Sequence, residues 1–196
     1  TTKRGQLGLA LVQLALQALD RVLHAVHSHL VAVALRVQCL LVCELERVGF
    51  TTNRMPLIWH KKGAHVTRNP TIWPGRSYEP IAYARKGSKD LVSQGAADVI
   101  STPTPSPSLK DIHPSAKHPE IYRKLLERSA SPGDTILDPM AGSGMSGVAA
   151  ESLRESLSLD WWMIEQDKDY KNLQLINLCK GYEALVAKAT PGIDRI

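Results

Sequence analysis

The hydrophobic pattern of this chain changes period several times along its length. Residues 5 to 23 contain no proline and are rich in Leu, Ala and Gln, which predicts a helix. "SHLVAVAL", residues 28 to 35, is a short apolar run with polar flanks and the length of a strand. "VQCLLVCELERVGF" then switches to helical spacing, with Gly49 as its expected stop. "PLIWHKK" and "YEPIAYARKG" predict two further strands. The intervening "GAHVTRNPTIWPGRS" is loop-like and basic. Residues 88 to 112 are rich in Pro, Ser and Thr, and "STPTPSPS" predicts a flexible linker.

Residues 113 to 180 have a cleaner pattern. "HPEIYRKLLERSA" has helical spacing, with Pro119 in its first turn. "SPGD" predicts a turn and "TILD" a strand. A glycine loop follows, then a helix to about residue 154. "LDWWMIEQD" predicts a second strand ending in acids, and "DYKNLQLINLCKGYEAL" a closing helix. Strand, glycine loop, helix, strand and acid make the first half of a nucleotide-binding α/β sheet. No internal repeat is visible.

With 196 residues, 43% of them hydrophobic and 22% charged, the chain can build one full globular domain spanning residues 1–196. The net charge of +5 is concentrated. Residues 51 to 90 hold eight bases against two acids, a surplus larger than that of the whole chain. Such a segment is either a solvated face or a surface for nucleic acid. The apolar run from Leu7 to Leu19 is too short to span a bilayer, contains Gln13 and Gln17, and lacks a clear cleavage site, so it reads as a buried helix. Cys39, Cys43 and Cys179 include no C-x-x-C pair; Cys39 and Cys43 are expected as small buried groups on one helix face rather than as zinc ligands. His113 and His118 lack ligand spacing, which leaves them capping or surface roles and gives no metal site.

"ILDPMAGSGMSGVAAE", residues 136 to 151, carries the most specific chemistry. Gly142, Gly144 and Gly147 satisfy G-x-G-x-x-G, a loop that lets backbone approach a ligand and turns N–H groups toward it. Glu165 follows about 20 residues on, where a carboxylate can accept from both ribose hydroxyls. Asp138-Pro139 stands between strand and glycines. A carboxylate there repels a pyrophosphate and favours an amino group. A ligand with adenosine at one end and an α-amino acid at the other fits that pairing, which is the chemistry of S-adenosylmethionine.

"ILDPMAGSG" resembles the D-P-F-x-G-S-G motif of the DNA amino-methyltransferases, which methylate the exocyclic nitrogen of adenine or cytosine. "HPSAKHPEIYRKLLERSASPGDTILDPMAGSG" is similar to that family's cofactor block, with its Lys-Pro pair interrupted as Lys117-His118-Pro119 and its usual Phe replaced by Met140. "WWMIEQD" resembles the strand whose final acid holds the ribose. The order of target-recognition part before cofactor motif resembles the family's β-type arrangement. The resemblance implies a class I methyltransferase-like α/β fold, a Rossmann-like sheet with helices on both faces. It implies S-adenosylmethionine as cofactor, held by Lys117, His118, Pro119, Asp138, Pro139, Met140, Ala141, Gly142, Ser143, Gly144 and Glu165. It implies double-stranded DNA as partner, with Lys61, Lys62, Arg68, Arg76 and Arg85 as candidate phosphate contacts. Trp73, in the loop with Asn69 and Arg76, either packs on the sheet as an anchor or stacks on DNA. Trp161 and Trp162 point to opposite faces of their strand, one expected in the core and the other a candidate to flank the adenine ring.

The family's catalytic motif, Asp/Asn/Ser-Pro-Pro-Tyr/Phe/Trp, occurs nowhere in the chain, so the catalytic residues are unknown. "NPTIWP", residues 69 to 74, has the letters in the wrong spacing. In the family fold that motif ends a central strand, expected before "SHLVAVAL". The expectation is therefore a truncated or degenerate DNA methyltransferase with an incomplete central sheet, covered by a second copy or a partner chain. The competing readings are a nonenzymatic remnant that binds cofactor or DNA, and an NAD-type oxidoreductase supported only by the literal glycine spacing. The expected setting is the cytoplasm, with bacterial or phage DNA.

Overall fold

The computed structural model describes residues 33–53, 55–63, 67, 69–104, 116–182 and 184. Its elements are α1 (Val33–Arg47), β1 (Thr51–Thr52), β2 (Leu57–Lys62), β3 (Tyr78–Ile81), β4 (Ala84–Arg85), β5 (Val99–Pro103), α2 (Pro119–Ser129), β6 (Thr135–Asp138), α3 (Met145–Ser152), α4 (Arg154–Leu157), β7 (Asp160–Met163) and α5 (Lys168–Lys180). Among the described residues they form three small sheets, ordered β1-β4, β3-β2-β5 and β6-β7, rather than one continuous sheet. The chain divides into two compact units, one of residues 1–58 and 80–89 and one of residues 59–79 and 90–196.

In the first unit α1 packs beside β1, which pairs antiparallel with β4 through Thr51↔Arg85 and Thr52↔Ala84. Gly49, at φ 87, ends α1 as its place in the pattern predicts. The Lys86 ammonium donates to the Val48 carbonyl at 2.9 Å and lies over the Phe50 ring. Two expectations fail here. Residues 33 to 35, the end of the predicted strand "SHLVAVAL", are the first turn of α1. Their apolar run continues into the helical spacing of Arg36 to Arg47 without Gly or Pro to break it, so helix continuity outweighs the β-branched valines. Residues 28 to 32 of that run, and the helix predicted for residues 5 to 23, lie outside the described residues. Cys39 and Cys43 are exposed rather than buried.

The second unit holds the glycine-loop segment. The β6–α3–α4–β7 segment returns β7 parallel to β6, with Thr135↔Asp160, Ile136↔Trp161, Leu137↔Trp162 and Asp138↔Met163 in register. All six residues of α3 from Met145 to Ala150 are buried. Small side chains at Gly147, Ala149 and Ala150 permit that burial, with α2, α5 and β7 packed around the helix. Gly147 marks the closest approach: a Cβ there would lie 2.5 Å from the Met163 sulfur. The third glycine of the loop is thus a helix–strand packing device.

The Pro/Ser/Thr-rich stretch expected as a linker contains β5, whose burial alternates, with Ile100 and Thr102 inside. Composition concealed a period-2 pattern because the second inward residue is Thr. That hydroxyl has a partner: the indole N–H of buried Trp59 donates to Thr102 Oγ1 at 2.7 Å. Predicted strand "YEPIAYARKG" is also split, into β3 and β4 in different sheets.

Candidate functional site

The glycine loop leaves β6 at Asp138 and is zipped to the end of β7 before it turns. The Ile164 N–H donates to the Asp138 carbonyl at 2.9 Å, and the Ala141 N–H to the Ile164 carbonyl at 3.0 Å. Gly142 and Gly144 then adopt left-handed backbone, φ 50 and 78, a conformation costly for any side chain with a Cβ. This zipper brings Glu165 against the loop. Its Oε2 accepts from the Gly142 N–H at 2.8 Å and its Oε1 from the Asp167 N–H at 3.1 Å. The acid and the glycines, 23 positions apart in sequence, therefore meet at one point.

Asp138 is held in a similar way. Its Oδ1 accepts from the Met140 N–H at 3.0 Å, and its Oδ2 from the Ser146 hydroxyl at 2.5 Å. Ser146 stands in the first turn of α3, so the carboxylate is fixed by both its own loop and the helix that follows. Tyr122 of α2 has its phenol pushed up to about 12, first by burial and then by the charges of Asp138 and Glu79, so it stays protonated.

The residues just before α2 are taken up by folding. Buried His118 caps the helix, its Nδ1 accepting from the Glu120 N–H at 3.2 Å. Burial, the largest influence, holds the ring below the ordinary histidine range, in the neutral form that can accept. Pro119 occupies the first turn and is buried. Lys117 donates to Glu79 Oε2 at 2.8 Å, and Lys61 binds the other oxygen of the same carboxylate. Both ammonium groups lie over the Trp59 ring, at 4.8 Å for Lys61 and 5.3 Å for Lys117. Burial opposes ionisation of Glu79, but hydrogen bonds from Lys117 and Lys61 outweigh it and hold the carboxyl below its usual range. Lys61 is thus committed to an ion pair that its sequence position, in a basic segment, did not reveal.

The other candidate DNA contacts are placed differently. Lys62, Arg76 and Arg85 are exposed, and Arg68 lies outside the described residues. Trp73 is 65% exposed, as is its neighbour Ile72, so the packed-anchor reading of Trp73 does not hold. The turn that carries them is ordered by Asn69. Its carbonyl accepts from the Ile72 and Trp73 N–H groups, and its Oδ1 from the N–H and hydroxyl of Thr71. Trp162 is 68% exposed; Trp161 is half-buried and donates from its indole to Glu151 at 2.9 Å, so neither is a core residue.

Two site residues escaped the sequence reading. Gln174 and Asn177, on α5, donate side-chain amide N–H groups to the Gly142 and Ser143 carbonyls at 2.8 and 2.9 Å. Polar residues one turn apart on a helix ordinarily mark a solvated face, so no pattern distinguished them. Among the described residues no group of three His, Cys, Asp or Glu could hold a metal, and no helix is long and apolar enough to cross a membrane.

Comparison with solved structures supports the fold. The chain is similar to the M1.HpyAVI–SAM complex, with 24% identity, TM-score 0.61, and coverage of 73% of this chain and 70% of that one. It is similar to M1.HpyAVI, with 21% identity, TM-score 0.56, and coverage of 73% and 68%. It also matches the cytosine-N4-specific PvuII DNA methyltransferase, with 12% identity and TM-score 0.51, over 81% of this chain and 65% of that one. The shared architecture is the class I methyltransferase fold. The sequence model of the N6/N4 DNA methylases matches residues 15–176, most of the chain. On that match, together with a glycine loop joined to the acid of the following strand, the chain belongs to the N6/N4 DNA methylase family.

Proposed function

We propose that this chain binds S-adenosylmethionine between the glycine loop and Glu165, and that it serves methyl transfer to the exocyclic amino group of adenine or cytosine in duplex DNA. The observation that carries the reading is the contact of Glu165 with the Gly142 N–H. The donor set fits the cofactor. An ionised carboxylate has about four acceptor sites. Each oxygen of Glu165 uses one on the backbone, which leaves acceptor capacity for the two ribose hydroxyls. Asp138 likewise spends one site per oxygen on Met140 and Ser146 and retains capacity for an ammonium group. The neighbouring Pro139, Met140 and Ala141 shape the turn, and the Lys117–Pro119 segment starts the helix that supports it. The literal G-x-G-x-x-G does not favour a dinucleotide, because the Asp138 carboxylate at the loop's start repels a pyrophosphate.

When bound, S-adenosylmethionine supplies an electrophilic methyl group. The base nitrogen would form its bond to that carbon as the carbon–sulfur bond breaks, and would then lose a proton. The residues identified in this chain act on the donor side: they bind and orient. The absent Pro-Pro tetrapeptide favours a second reading, a module that binds cofactor or DNA without turnover.

Lys62, Trp73 and Arg76 supply a DNA-facing surface in this reading; Arg85, on β4 of the first unit, is taken by itself as a candidate phosphate contact. The setting that goes with this reading is the cytoplasm, with bacterial or phage DNA as substrate. The β6–β7 pair has no further strand among the described residues, and a second copy or partner chain would cover such an edge. Duplex affinity is expected to fall steeply with salt, and Lys62→Ala with Arg76→Ala to flatten the slope by about two contacts' worth. Salt-independent binding, or no binding by the folded chain, would count against the DNA surface.

A further inference from the structure

We propose that Gln174 and Asn177 are positioning residues for the cofactor, acting by fixing two consecutive peptide planes of the glycine loop. The inference rests on the cofactor reading above. Gln174 Nε2 holds the Gly142 carbonyl and Asn177 Nδ2 the Ser143 carbonyl, at 2.8 and 2.9 Å. A trans peptide is planar, and its N–H points opposite its C=O. With the Gly142 carbonyl drawn to α5, the Ser143 N–H is turned to the side away from α5. With the Ser143 carbonyl drawn to the same helix, the Gly144 N–H is turned back into the loop, where it donates to the Ala141 carbonyl at 2.8 Å. The two amides thus decide which loop N–H is offered to a ligand and which is consumed by the turn.

Two further observations separate this role from ordinary packing. The loop and helix are in intimate contact at Gly144: a Cβ there would lie 2.7 Å from Gln174 Cγ, so α5 leaves room for backbone alone. Asn177 is fully buried, yet its Oδ1 has no hydrogen-bond partner. A buried unpartnered acceptor is unfavourable, and an apolar side chain of that size would avoid it. Asn177 is therefore kept for its donor.

Gln174→Met keeps the Cβ and Cγ that pack on Gly144 and removes the donor. Asn177→Leu removes a donor and the unpartnered oxygen together, so its effects on stability largely cancel. Each variant is expected to weaken S-adenosylhomocysteine binding about five- to tenfold, the worth of one buried hydrogen bond. The melting temperature should move by only a few degrees. Amide exchange at Ser143 and Gly144, followed by NMR, should accelerate while exchange in α2 and β6 is unchanged. Wild-type affinity together with unchanged loop exchange in folded Gln174→Met would overturn the proposal. So would failure of that variant to fold, which would make the amide a structural element. If the unaltered chain does not bind S-adenosylhomocysteine, the cofactor reading fails, and the loop exchange data still decide whether α5 sets the loop.

Discussion

Methyl transfer by this chain alone to mixed-sequence duplex DNA is expected to be slower by about 10⁴-fold or more than that of a family member carrying the Pro-Pro tetrapeptide. The expectation follows from what the site supplies. In the proposed reading loop and acid orient the donor, but no residue identified in the chain orients the acceptor. A flipped base needs an aromatic surface to stack on and acceptors for its amino protons, both within reach of the methyl group. Misplacement of reacting atoms by an ångström alone can cost about 10²-fold. Loss of a group that stabilises developing charge costs a further 10²–10³-fold, roughly. "NPTIWP" does not replace the motif: Asn69 is committed to its own turn, its side-chain oxygen accepting from Thr71. A tritiated-methyl assay with saturating cofactor and duplex measures this directly. Turnover at the rate of the tetrapeptide-bearing comparator would show that an acceptor site lies within these 196 residues.

Replacing Glu165 by alanine is expected to weaken S-adenosylhomocysteine binding tenfold or more, about 1.5–3 kcal/mol. Two losses add. The carboxylate no longer accepts from the ribose, and the Gly142 N–H loses its 2.8 Å partner, which loosens the turn that the ligand must meet. Glu165→Gln separates them, since its amide oxygen can still accept from Gly142 while the charge is gone; an intermediate affinity is expected. Titration calorimetry on the three proteins gives the comparison, and equal affinities across them would remove Glu165 from the site.

The strand, glycine loop, helix and acid were legible because their signals are local and strong. Gly142, Gly144 and Gly147 sit at fixed spacing, Pro119 marks a helix start, and the acid of "WWMIEQD" follows at the expected distance. What failed was long-range. Lys61 looked like a phosphate contact because its partner, Glu79, lies 18 positions away on another strand. Strand β5 looked like linker because its inward Thr102 is polar and finds its partner 43 positions away, at Trp59. Gln174 and Asn177 went unnoticed because their acceptors are backbone carbonyls more than 30 positions upstream. Sequence pattern reports which residues can be buried; it does not report which distant acceptor makes a polar one burial-compatible. For Trp73 the sequence left two readings open, and the ordered turn that holds it outward removes the packed anchor.

The most direct test of the account is competitive calorimetry of the unaltered chain with S-adenosylhomocysteine and with NAD. Both carry adenosine; they differ in the end that meets Asp138, an α-amino acid in one and a pyrophosphate in the other. The predicted result is saturable heat with one S-adenosylhomocysteine per chain and none with NAD. Binding of NAD in preference to S-adenosylhomocysteine would contradict the account at its centre.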